Sequence, residues 1–170
     1  ITVRSLTVNE DGANKYTLTG NQLTLALLGS SLVQSGTGAL QIDSAVVLGD
    51  NATINGAGSG AVTINGVVSE SGGARTLTKA GTYDLILGGV NTYTGATTIS
   101  AGSLIVGANS ALGTTAAGTT VSSGGTLGFQ GNITYSTAEA VTINGTGASS
   151  LGAINNVSGN NSFAGAITLG

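Results

Sequence analysis

The chain has 170 residues with 4 basic and 7 acidic side chains, and it contains no His and no Cys. Without imidazole or thiol groups it cannot assemble a Ser-His-Asp or Cys-His nucleophile, or a zinc site of the usual nitrogen and sulfur ligands. The net charge of −3 argues against nucleic acid, because phosphates are neutralised by clustered Lys and Arg. We therefore expect a structural or binding module with no catalytic residue, no cofactor site and no metal site.

The composition predicts an all-β fold. Charged residues make up 6% of the chain and hydrophobic residues 40%, which is opposite to the pattern of chains that stay unfolded. Thr, Val and Ile are abundant while Glu, Lys and Arg are scarce, so local preference favours strands and almost no α-helix. Apolar runs such as 25–28 and 45–48 are far shorter than the roughly 20 residues of a membrane-spanning helix, so we expect no transmembrane segment.

Short strands separated by Gly-rich turns are predicted along the whole chain. Their starts lie roughly 6 to 12 residues apart, as in all-β folds. The predicted strands are 2–8, 16–19, 23–27, 40–42, 46–48, 52–55, 62–65, 76–78, 83–87, 97–100, 104–106, 119–121, 126–129, 133–135, 141–144 and 167–169.

Internal repeats organise these strands. The segment ATING at 52–56 returns as VTING at 62–66 and at 141–145. A longer echo pairs GVNTYTGATTI at 89–99 with GNNSFAGAITL at 159–169. Degenerate repeats of short strands without helices indicate a solenoid, in which each unit buries its apolar face only by stacking on its neighbours.

The alternative is a β-sandwich or hairpin stack. Asn-Gly is the strongest short-range hairpin signal, and it occurs at Asn55, Asn65 and Asn144. Only Gly66, which is followed by Val67 and Val68, fits a tight return, because the other two glycines lead into long flexible segments. In a solenoid the same dipeptides form corners, where we expect the Asn to adopt the left-handed conformation. We favour the solenoid.

Residues 72–107, GGARTLTKAGTYDLILGGVNTYTGATTISAGSLIVG, resemble the autotransporter-associated β-strand repeat of bacterial autotransporter passengers and giant surface proteins. The resemblance rests on LTK at 77–79, the NTYTG corner at 91–95 and the AGSLIVG close at 101–107, and it continues more loosely over 108–170. It implies a right-handed single-stranded parallel β-helix that is secreted and displayed at the bacterial outer surface or released. We predict one continuous segment over 1–170 of a larger chain, with a polar cap within 1–20.

The expected β-helix has about eight turns of roughly 20 residues. Aliphatic side chains that point inward would form stacked columns, each contributing ~1.5–3 kcal/mol when neighbouring turns cover it. The predicted inward residues are Leu77, Leu85, Leu87, Ile99, Leu104, Val106, Leu127, Ile143 and Leu169.

Two pairs of matching residues are candidate ligand contacts, but each has a simpler structural interpretation. Asn91 and Asn161 sit at equivalent corners, where we expect them to cap backbone groups or to form an amide ladder. Tyr93 and Phe163 lie two residues further on. An exposed aromatic could stack on a sugar, yet the exchange of Tyr for Phe favours packing over the corner.

The charged residues do not form a catalytic pattern. Cleavage of a polysaccharide needs paired carboxylates or a calcium cluster, whereas only Glu10 and Asp11 are adjacent, and neighbouring side chains on a strand point to opposite faces. Arg75 and Lys79 are predicted to pair weakly with Glu70 and Asp84 on a solvated face.

Residues 86–138 carry no charge and no Pro, so their strand edges must be covered by neighbouring turns or by identical subunits in a filament.

Three functions are considered in decreasing order of preference. The first is a non-catalytic structural segment that forms a rigid stalk or extracellular fibre. The second is an adhesin whose loops bind a glycan or a host surface. The third, a polysaccharide-degrading β-helix enzyme, is a remote alternative.

Overall fold

The computed structural model describes residues 1–26 and 29–170. These residues contain strands and turns but no α-helix, which confirms the all-β prediction. The strands are β1 Thr2–Val3, β2 Ser5–Val8, β3 Lys15–Leu18, β4 Leu23–Leu25, β5 Ser30–Gln34, β6 Ala39–Ile42, β7 Val46–Leu48, β8 Ala52–Asn55, β9 Val62–Ile64, β10 Val68–Glu70, β11 Leu77–Lys79, β12 Asp84–Leu87, β13 Thr97–Ile99, β14 Gly102–Val106, β15 Thr119–Val121, β16 Gly125–Gln130, β17 Thr134–Tyr135, β18 Val141–Ile143, β19 Ile154–Ser158, β20 Ser162–Phe163 and β21 Ile167–Leu169.

The strands coil into a parallel β-solenoid of about 7 turns. Sheet I contains β1, β4, β7 and β10, and sheet II contains β2, β5, β8, β11, β13, β15, β18 and β21. Sheet III contains β3, β6, β9, β12, β14, β16 and β19, while β17 and β20 form a separate pair. Every strand pairs in parallel with the equivalent strand of a neighbouring turn, so the solenoid prediction is confirmed and the sandwich alternative is wrong.

Turn length varies more than the expected 20 residues. The register Leu77↔Thr97 gives a turn of 20 residues, whereas Val141↔Ile167 gives one of 26. The longer turns carry extra loop residues, such as those of 144–153, and this is why about seven turns rather than eight fill the chain. The hand of the coil stays a prediction.

Strand alternation places the core inside the coil. Leu85 pairs with Val62 and Leu104, and Leu104 pairs with Leu127, so these side chains form one aliphatic column. Seven of the nine predicted inward residues are buried, namely Leu77, Leu85, Leu87, Ile99, Leu104, Val106 and Leu127. Ile143 is only half-buried, and Leu169 is 81% exposed. Leu169 lies on the last strand, where no further turn of this sequence covers it.

Most strands were predicted within a residue or two, but β5, β10, β19 and β20 were missed. β5 carries buried Ser30 and Gln34, so its inward face is too polar to show an apolar alternation. The predicted strand 23–27 corresponds to β4, and its last residue lies outside the described residues, as do two residues of the 25–28 run.

The Asn-Gly dipeptides form corners of the coil. After Asn65 and Gly66 the chain enters β10, which pairs in parallel with β7, so no hairpin forms there. A Cβ on Gly66 would lie 1.9 Å from the Ser44 carbonyl oxygen, so only glycine fits. Asn55, Asn65 and Asn144 do not adopt positive φ, which corrects the expectation; at the first corner Gly56 takes that role at φ 127. Glycine accepts positive φ at less steric cost than Asn.

The interior is close-packed. A residual void of about 10 Å³ lies among aliphatic side chains that include Leu25, Leu48 and Ile54. Such a void is at the lower limit for one water molecule and offers it no polar partner, so the core is dry. No helix among the described residues is long and apolar enough to cross a membrane.

Candidate functional site

Asn91 joins three successive turns of the coil. Its side chain is 3% exposed. Its Oδ1 accepts a hydrogen bond from the Val68 backbone N at 2.7 Å, and its Nδ2 donates to the Ala111 carbonyl oxygen at 2.6 Å. Both polar atoms of the amide are therefore used by backbone groups, which confirms the predicted capping role. A ligand would find neither atom free.

Asn161 repeats half of this arrangement. Its Oδ1 accepts from the Ile133 backbone N at 2.8 Å, just as Asn91 accepts from the preceding turn. Its Nδ2 donates to the Ser158 carbonyl oxygen at 2.8 Å and to the Asn156 side chain at 2.5 Å, both within its own corner. The two corners are thus equivalent toward the preceding turn, and they differ on the side where Asn91 has a following turn.

The aromatic residues of these corners lie inside the coil rather than on its surface. Tyr93 is 0% exposed, and its hydroxyl shares a hydrogen bond of 2.7 Å with the Thr97 hydroxyl. Phe163 is half-buried, with ring centroids 5.4 Å from those of both Phe129 and Tyr135. The packing prediction is confirmed, and neither ring is an exposed platform for a sugar.

Lys79 points into the coil, so its predicted place on a solvated face is wrong. It is 0% exposed, its Nζ donates to the carbonyl oxygens of Gly81 and Ala101, and it lies 4.3 Å from the centroid of the Tyr83 ring. Burial lowers the pKa of Lys79 to about 8. The signal was present in the sequence, because alternation on β11 places Lys79 on the same face as Leu77.

Glu139 is a second buried charge that the sequence did not indicate. It is 0% exposed, and its Oε1 accepts from the Thr119 hydroxyl at 3.0 Å. Its Oε2 is buried and has no hydrogen-bond partner among the described residues. Burial raises the pKa of Glu139 to about 7. Because Glu139 precedes β18 in a corner, no strand alternation predicts its direction.

The remaining charges near the 71–76 loop are structural. Glu70 accepts hydrogen bonds from the Thr94 hydroxyl at 2.5 Å and from the backbone N atoms of Arg75 at 2.7 Å and Thr94 at 3.0 Å. Burial would raise the pKa of Glu70, but these hydrogen bonds outweigh it and hold the pKa below its ordinary value. The Arg75 guanidinium pairs with Asp50 at 3.7 Å, rather than with Glu70 or Asp84 as expected.

Two open grooves lie at the ends of the coil. One has a volume of about 340 Å³ and is lined by Leu6, Thr7, Val8, Asn9, Glu10, Tyr16, Leu18 and Leu40. The other has a volume of about 190 Å³ and is lined by Phe129, Ile154, Asn156, Asn161, Ser162 and Phe163. Both continue the apolar interior. Within the described ranges, no group of three or more Asp and Glu residues is placed to hold a metal ion.

Adhesin BmaC autotransporter of Brucella suis biovar 1 (strain 1330) is 37% identical over 111 residues. The match covers 56% of this chain, and this chain spans 3% of the length of that relative. No solved structure matches the chain at a significant level.

The family model described as Passenger-associated-transport-repeat matches residues 77–106, which run from β11 through the Asn91 corner to the end of β14. The resemblance inferred from the sequence is therefore confirmed: this β-solenoid contains an autotransporter passenger repeat.

Proposed function

We propose that the chain is a non-catalytic structural segment of a surface-displayed bacterial passenger, continuous over residues 1–170, which forms part of a rigid stalk. The observation that carries this proposal is sheet II, whose eight strands pair one turn on the next from β2 to β21. With turns ~4.8 Å apart, the 7 turns make a rod about 34 Å long. Its backbone hydrogen bonds run along the rod axis.

The charged residues support a mechanical rather than a catalytic role. Glu70 holds the backbone of Arg75 and Thr94, and Lys79 holds two backbone carbonyls inside the coil. Glu139 is buried against Thr119. Glu70 and Lys79 bond backbone groups and Glu139 lies inside the coil, whereas general acid–base catalysis requires groups that reach a substrate. We propose no catalytic, cofactor-binding or metal-binding residue.

The proposed partners are neighbouring turns of the same kind. The two end grooves expose apolar side chains such as Leu6, Leu18 and Phe163, which further repeats of a longer chain or an identical subunit would cover. We propose that the segment lies outside the cell, at the bacterial surface or in a released fibre, because the matching relative is named an autotransporter. An adhesive role is the second candidate, because the matching relative is named an adhesin.

Replacement within the intact parent protein separates the two roles. Residues 1–170 are deleted in one variant, and in another they are exchanged for an unrelated parallel β-helix segment with the same number of turns. Surface display and adhesion of whole cells are measured for both. If the segment is a structural spacer, the exchange should restore the surface display and adhesion that the deletion loses, because only the length of the rod matters.

The opposite result contradicts the structural role. If the exchanged parent is displayed at the normal level but no longer adheres, the segment itself carries the binding. Direct binding of the purified 170-residue chain to host cells, compared with the exchanged segment, would support the adhesive role in the same way.

A further inference from the structure

One outward face of the coil carries a single column of threonines. Strand pairing places these residues directly beside one another on successive turns of sheet II, with no shift of register. The column consists of Thr53, Thr78, Thr98, Thr120, Thr142 and Thr168. At ~4.8 Å per turn it presents a regular row about 24 Å long.

Strand propensity alone does not explain this column. Sheet III has similar β-propensity requirements, yet its matching row reads Thr63, Ile86, Ile105, Gly128 and Asn155, and Ile105 and Gly128 in that row are buried. Sheet III also shifts register between Phe129 and Gln130. The repeated threonine and the unbroken register are therefore particular to sheet II.

The hydroxyls of the column are free. Among the described residues, none of the six threonine side chains makes a hydrogen bond, although hydroxyls on the same strands that face inward do so. The Thr97 hydroxyl bonds Tyr93 and the Thr119 hydroxyl bonds Glu139, while the hydroxyls of their neighbours Thr98 and Thr120 have no protein partner. Each turn thus offers one unpaired hydroxyl and one methyl group to the outside.

The residues that flank the column are uncharged. Small residues make up most of the flanking rows, with Ala96, Gly118, Ala140 and Ala166 on one side and Ala80, Ser100 and Ser122 on the other; the other flanking side chains are Asn51, Asn55, Thr76 and Asn144. Lys79, the charged residue on these strands, points into the coil. A neutral surface without long side chains does not attract a charged polymer.

The size of the face excludes a stable dimer as its main purpose. Six turns by about four residues give a plane of roughly 300 Å². A stable protein interface buries about 800 Å² per partner. We therefore expect the binding partner of this face to be a neutral, periodic surface that forms many weak hydrogen bonds with the threonine column at the same time.

We propose that the outward face of sheet II binds ice. Holding a water molecule on a protein surface costs ordering entropy, and in an ice surface that ordering is already present. Each threonine hydroxyl then bonds lattice water while its methyl group fills the space beside it. Charged groups would keep their own mobile hydration and prevent such a fit. The inference does not depend on the proposed stalk function.

The test measures thermal hysteresis, and the share of protein taken up by a slowly growing ice crystal, for the full 170-residue chain. The double variant Thr98→Tyr with Thr120→Tyr breaks the flat row, and we expect at least an about tenfold loss of both signals, since two contacts are removed. Thr63→Tyr, on the outward face of sheet III, is the matched control and should leave both unchanged.

A second double variant guards against misfolding. Thr98→Val with Thr120→Val keeps the side-chain shape and removes only the hydroxyls, so it should fold like the parent by circular dichroism and still lose ice uptake. The proposal is overturned if the folded parent chain is excluded from ice, or if the sheet II and sheet III variants behave alike. Dimerisation or binding to crystalline cellulose without ice uptake would also overturn it.

Discussion

The side of the coil that sheet I occupies is closed in two different ways along the rod. Between β4 and β10 it is closed by the strands of sheet I, whose inward residues include Leu25, Leu48 and Val68. In the next turn no strand is present, and the corner 91–95 takes its place. There the Asn91 amide bridges backbone groups of the turns before and after, and the Tyr93 ring fills the interior.

The difference shows what a turn needs in order to stack. A strand supplies backbone hydrogen bonds and alternating aliphatic side chains, whereas the corner concentrates both tasks in one amide and one ring. The whole turn that contains the corner is also shorter, because Leu77↔Thr97 spans 20 residues whereas Ala52↔Leu77, the turn that contains β10, spans 25. A corner-closed turn should therefore be more sensitive to single substitutions than a strand-closed one.

Removing the Tyr93 ring should have the largest effect. Tyr93→Ala leaves a large cavity at a fully buried position, and we expect a loss of ~3–5 kcal/mol in the free energy of unfolding. Tyr93→Phe should cost only about 1 kcal/mol, because it removes one hydrogen bond to Thr97. Urea denaturation measures both. Equal losses for the two variants would show that the ring itself does not close the turn.

Removing the Asn91 side-chain amide should have the second largest effect on the free energy of unfolding. Asn91→Ala leaves the Val68 N–H and the Ala111 carbonyl unsatisfied, and we expect a loss of about 3 kcal/mol, since each buried orphan group costs ~1–3 kcal/mol. Asn161→Ala is the matched control and should cost clearly less, because Asn161 is less buried and bonds the preceding turn and its own corner but no following turn. An equal cost at both corners would refute the bridging role.

Glu139, in the corner before β18, should make the free energy of unfolding depend on pH. The pKa of Glu139 is raised from 4.5 to about 7, so between these values the unfolded chain releases a proton that the folded chain keeps. The free energy of unfolding should therefore fall by about 3 kcal/mol as pH rises from 4.5 to 7. Glu139→Gln should flatten this part of the curve, measured by urea denaturation at several pH values.

Glu70 affects stability in a different pH range from Glu139. Glu70, whose pKa is lowered, contributes stability that is lost only as pH falls below its ordinary value of 4.5. A curve for Glu139→Gln that still falls between pH 4.5 and 7 would show that another group is responsible.

The smallest effect is expected on the strand-closed side. Asp50 follows β7, and its pair with Arg75 is partly exposed at 3.7 Å. Asp50→Asn should cost only ~0–1 kcal/mol, and less in high salt. A loss as large as that of Asn91→Ala, measured by thermal unfolding, would mean that this side too depends on single polar contacts.

Sequence reasoning found what alternation and repetition encode. The columns through Leu85, Leu104 and Leu127 followed from period-two patterning, and the equivalence of Asn91 and Asn161 followed from the repeat. It missed Lys79 because a charge was assumed to face solvent, although β11 alternation placed it inside. Glu139 could not be found, because its burial depends on the turns stacked around a corner and leaves no local periodic signal.

Spin-label distances measure the stacking of turns most directly. The chain has no Cys, so single pairs can be introduced at Thr53 with Thr120, Thr142 or Thr168, which lie three, four and five turns away. The coil predicts backbone separations of about 14, 19 and 24 Å, increasing by one turn spacing each time. Separations that fail to grow with the turn number, as in an antiparallel stack, would contradict the account.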